Sequence, residues 1–128
     1  MKRFLFLGLI VALLSSIVGA TYLYFFYGLE LDESSKVLPI WKVVAIYTSI
    51  SLLIALMSYV VFSKWGKWGV IILNTVFSSI AIASIAYPIT YVNQEIDTTF
   101  IAIAAIPVHF MMPLIWLSLQ PIVLIQKP

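Results

Sequence analysis

No charged residue of this chain lies in the middle of any of its four long apolar runs, Phe4–Tyr27, Ile40–Ser63, Gly69–Tyr91 and Phe100–Ile125. As helices rising ~1.5 Å per residue, the runs would each be ~35 Å long, enough to cross a hydrocarbon core of ~30 Å. Lipid offers nothing for a backbone N–H or C=O to bond, so such runs satisfy their polar groups internally as helices. The pattern predicts an all-α integral membrane protein, a four-helix up-down-up-down transmembrane bundle. Residues 1–128 form a single domain in this reading, since the runs and their connections use all of the chain.

Composition closes the alternatives. Hydrophobic residues make up 63% and charged residues 9%, against about 45–50% and 25% in soluble domains. No water-soluble fold of 128 residues could bury that much apolar surface. The net charge of +2 is spread singly or in pairs along the run ends, so it is not a nucleic-acid footprint. There are no cysteines, which excludes disulfides, thiolate metal sites and thiol-based redox chemistry.

The first 20 residues imitate a secretory signal: Lys2 and Arg3, an apolar core over Phe4–Leu14, then Val18, Gly19 and Ala20. Because the apolar run continues through Tyr27, it reads as an uncleaved first span. Basic residues then set orientation. Lys2, Arg3, Lys64, Lys67 and Lys127 fall on one side of a hairpin topology, with no acidic residue among them. Glu30, Asp32, Glu33, Lys36, Lys42, Glu95 and Asp97 fall on the other. Positive charge collects on the cytoplasmic face, which predicts a multi-pass protein of a bacterial cytoplasmic membrane with both termini inside. The short Lys64–Gly69 connection makes the second and third runs antiparallel neighbours.

Within the spans, informative residues are polar side chains, small-residue stripes and prolines. Counting inward puts Ser15, Ser16, Ser51, Ser78, Ser79 and His109 within one turn of the same depth, near the midplane. Gly8, Ala12, Ser16 and Ala20 form a small-residue ridge at four-residue spacing, suited to close helix approach. On the fourth run Ala102, Ala105, His109, Met112, Trp116 and Gln120 share one stripe.

His109 is the only histidine, and an ionisable group inside a span is a site candidate by default. Pro107 and Pro113 bracket it and free the carbonyls of Ile103 and His109. Pro88 and Pro121 are expected to end helices. The candidate binding set is therefore His109, Ser51, Ser78, Trp116 and Asn74, as a pocket for a quinone, lipid or haem. The alternative role for His109 is a neutral bridge to Ser51 or Ser78, and for Asn74 it is interhelical glue. The acidic group Glu30, Asp32, Glu33, Glu95 and Asp97 matches no calcium-loop spacing and reads as a solvated, topology-setting surface.

No catalytic triad, metal-ligand cluster, phosphate loop or HExxH motif is present. The first span also lacks the membrane-embedded glutamate of the small multidrug transporters. The chain reads as a non-enzymatic accessory or structural subunit, partnered by the bilayer and by other membrane proteins or a second copy. Two other readings stand beside it: a small-molecule-binding subunit using a pocket around His109, and a small channel or transporter constricted at the hydroxyl layer.

Overall fold

The structure, a computed structural model, describes residues 1–28, 38–92 and 100–125. All regular structure among them is helical: α1 (Lys2–Gly28), α2 (Ile40–Ala83), α3 (Ala86–Thr90) and α4 (Ile101–Ile125). Three helical stretches are long and apolar enough to cross a membrane: Lys2–Gly28, Ile40–Thr90 and Ile101–Ile125. Their outward faces are apolar too, with Phe6 66%, Leu13 63%, Ile72 65% and Leu114 60% exposed. Water would not tolerate so continuous an apolar coat.

The second and third apolar runs are one element, α2, broken inside. The six-residue turn expected over Lys64–Gly69 is a single non-helical residue, Gly66, at φ 61° and ψ −150°. This region is open essentially to glycine alone. In an unbroken helix, residues eight apart lie ~12 Å apart along the axis. A Cβ built on Gly69 would instead stand 2.7 Å from Val61 Cγ1, so the chain folds back sharply at Gly66. The two arms of α2, residues 40–65 and 67–83, then lie side by side.

The far end of the third run departs from one continuous span. Pro88 cannot donate to the Ser84 carbonyl, and the helix stops at Ala83 before it. Ser84 N–H still reaches the Ile80 carbonyl at 2.8 Å, Ile85 tightens onto Ile82 at 3.2 Å, and Tyr87 N–H takes up the Ser84 carbonyl at 3.2 Å. The short α3 follows. Pro121, expected to end the last helix, sits inside α4, which runs on to Ile125.

Small residues decide how α1 meets α2. A Cβ on Gly8 would lie 2.7 Å from Ala55 Cβ and 3.1 Å from the Ser51 carbonyl oxygen, so these backbones are as close as glycine permits. At the other end the Tyr47 ring fills the space over Gly19, where a Cβ would come within 2.7 Å of Cε2. Gly8 and Ala12 are buried within the chain. The Gly8 end of the small-residue ridge thus makes its close approach to α2. Phe4 packs on Tyr59 and Phe62, with centroids 6.4 and 5.5 Å away. This puts the start of α1 beside the Gly66 end of α2's first arm.

Tyrosines tie the opposite end. Tyr22 Oη donates to the Ile103 carbonyl at 3.1 Å, the acceptor that Pro107 leaves without its helical partner. Tyr47 Oη donates to the Val108 carbonyl, and Tyr27 Oη to that of Leu38. The Tyr22 bond thus links α1 to α4 at the carbonyl freed by Pro107.

Candidate functional site

The candidate set does not converge on one pocket. His109, Ser51 and the Asn74–Trp116 pair occupy three separate places, and Ser78 shares only an outer groove with Asn74.

Asn74 and Trp116 do meet, bonding each other directly, and Asn74 also pairs with Gln120. Asn74 Nδ2 donates to Gln120 Oε1 at 2.6 Å, and Gln120 Nε2 returns a longer bond to Asn74 Oδ1 at 3.4 Å. Trp116 Nε1 donates to the same Oδ1 at 3.2 Å. Trp116 is fully buried and Gln120 nearly so. Every polar atom of this cluster is directed at another, which is the arrangement of interhelical glue between α2's second arm and α4. Gln120 lay in the sequence stripe one turn past Trp116, and that spacing was the signal for its part.

Ser51 is wholly buried on the face of α2 toward α1, and its Oγ has no hydrogen-bond partner. Ser58 is alike, whereas Ser15 turns back onto the Val11 carbonyl at 2.6 Å. Ser78 lies in a shallow outer groove with Asn74, Thr75, Ser79 and Leu117. The depth count ran inward from Tyr91 as if one helix reached there, but the helix ends at Ala83. The hydroxyls therefore form no shared constriction.

His109 makes neither expected bridge. Its Nδ1 lies 2.8 Å from the Ala105 carbonyl oxygen on its own helix. A carbonyl only accepts, so Nδ1 carries a proton, and in the neutral form of imidazole this leaves Nε2 with a lone pair.

The half-buried imidazole lines a cavity of about 280 Å³, near the lower end of the ~300–1,000 Å³ range of small-molecule sites. The first arm of α2 contributes Val43, Ile46, Tyr47 and Ile50, with Leu38 just before it. The second contributes Phe77, Ile80 and Ala81, followed by Ser84. From α4 come Val108, His109, Met112 and Pro113. The fold-back at Gly66 is what faces residues 43–50 with residues 77–84. Its rim includes the exposed Ile46, Ile50 and Ile80, so the cavity is bordered by the apolar coat. Tyr47, Phe77 and Met112 were not foreseen as lining. No local feature of the sequence marks which arm residues meet across a turn.

A wider groove of about 590 Å³ flanks the Gly66 turn, lined by Val61, Trp65, Trp68, Gly69, Ile72 and Leu73. The acidic residues Glu30, Asp32, Glu33, Glu95 and Asp97 lie outside the described residues. No group of three or more metal-ligating side chains occurs among the described ones.

Comparison with protein-family models, curated proteins and solved structures finds no match. The reading of function rests on the geometry above.

Proposed function

We propose that this chain is a four-span, non-enzymatic protein of a bacterial cytoplasmic membrane, with both termini inside, that holds a small apolar molecule beside His109. The observation that carries the binding role is the cavity itself. It gathers both arms of α2 and α4 around the one histidine, and among the described residues its lining is apolar except for three side chains. Small-molecule sites pair mostly apolar walls with a few placed polar groups. The four-span topology draws support from the fold-back at Gly66, which gives α2 two arms with apolar outer faces. Orientation rests on the charge asymmetry: Lys2 begins α1, and Lys64 and Lys67 flank Gly66 at the same end of the molecule.

A second reading, an accessory or structural subunit, is favoured by the outer face of α1. Phe6, Leu9, Leu13, Ile17 and Phe25 stand exposed there, an apolar strip fit for lipid or for another helix.

One experiment separates the two. The protein is purified in mild detergent and weighed intact by native mass spectrometry, alongside an Ala81→Trp variant that fills the cavity. A retained small molecule that the variant loses supports the binding role. A stoichiometric protein companion, equally held by parent and variant with no small molecule, overturns it in favour of the subunit.

A further inference from the structure

The three polar side chains lining the cavity share a feature that narrows what it can hold. Tyr47 Oη gives its proton to the Val108 carbonyl. Ser84 Oγ gives its proton to the Ala81 carbonyl at 2.7 Å. His109 Nδ1 gives its proton to the Ala105 carbonyl at 2.8 Å. Among the described lining residues, each of these polar side chains therefore gives a proton to a helix carbonyl, and its lone pairs remain. His109 Nε2 has no hydrogen-bond partner among the described residues. Pro113, also in the wall, adds no donor and withholds the N–H that would close onto the His109 carbonyl.

Resting on the binding role proposed above, we infer that the cavity selects an apolar molecule headed by a hydroxyl, a phenol or long-chain alcohol, which donates to His109 Nε2. A ketone, quinone or ether of the same shape would bring lone pairs to lone pairs. Sites built to bond a hydroxyl reject analogues lacking its proton because their own polar groups are left unpaired. The apolar rim of Ile46, Ile50 and Ile80 admits such a molecule tail-last from the hydrocarbon phase, with its head toward α4.

The single histidine makes this directly testable. Protein labelled with ¹⁵N-histidine and ¹³C-methyl methionine is placed in lipid bicelles and titrated with 4-heptylphenol, then with its methyl ether, 4-heptylanisole. The Met112 methyl signal reports occupancy of the cavity, and the His109 Nε2 signal reports the hydrogen bond. The expected result is saturable displacement of Nε2 by the phenol alone, the proton staying on Nδ1. The phenol should bind about tenfold tighter than the ether.

His109→Phe should erase that preference while the ether still binds, and Ala81→Trp should abolish binding of both. Equal binding of phenol and ether without movement of Nε2 overturns the donor requirement and leaves the cavity's binding role intact. If neither probe moves the Met112 signal, the binding role falls, and the inference with it.

Discussion

At the scale of single residues, the hydrogen-bonded polar side chains divide by whether their partner lies on their own helix or on another. Ser15, Thr48, Ser49, Thr75, Ser79 and Ser118 all bond the carbonyl four residues back, which local spacing permits in any helix. Asn74, Gln120 and Trp116 instead bond across helices and so join α2 to α4. Gln120→Leu should lower stability by about 0.6–2 kcal/mol, the range for interhelical polar contacts in membrane helices. Pairing it with Asn74→Leu in a double-mutant cycle, read from unfolding in mixed micelles, should return a positive coupling energy. Strict additivity would mean that the amide pair contributes nothing.

At the scale of elements, α2 is where local and tertiary demands meet. A straight helix of 44 residues would reach ~66 Å, about twice the hydrocarbon thickness. One glycine prevents this. Gly66 has open space where a Cβ would go, so its backbone angles exclude other residues rather than any neighbouring atom. Gly66→Ala should cost about 1–3 kcal/mol, while Gly28→Ala, in equally open space and at ordinary φ, should be close to neutral. Thermal unfolding of both variants in the same detergent checks this; equal effects would show that the turn tolerates a side chain. Similar logic governs α4, whose three prolines, Pro107, Pro113 and Pro121, leave the helix unbroken. The Tyr22 hydroxyl replaces the donor that Pro107 removes, so the cost of that proline is met by another helix.

For the whole molecule, the open matter is how the bundle sits in the bilayer. The absence of cysteine allows single thiols to be introduced without background. In intact cells, a membrane-impermeant maleimide should label Glu33→Cys and Glu95→Cys and spare Lys67→Cys. Labelling of Lys67→Cys together with protection of the other two would invert the orientation. Glu95→Cys protected like Lys67→Cys would mean that the third run does not cross, which would end the four-span proposal. The inward-facing ridge adds a consequence at this scale. Gly8→Leu drives a side chain into Ala55 and the Ser51 carbonyl, so its effect falls on folding before it reaches any partner.

The sequence by itself determined that the chain is helical and apolar enough to cross a membrane, because length and the exclusion of charge from the runs are local properties. It also singled out His109 and Asn74, since each carries polar groups that a hydrocarbon phase cannot satisfy. Only the tertiary structure decided which of them meet. Asn74 bonded Trp116 directly and took Gln120 as a second partner. His109 turned to Ala105 on its own helix, and Ser51 and Ser78 faced elsewhere. One residue of helix is a ~100° rotation, so an end misplaced by a few residues sends a side chain to a different neighbour. The cavity was invisible for the same reason: residues 43–50 and 77–84 face each other only because Gly66 folds the chain back between them.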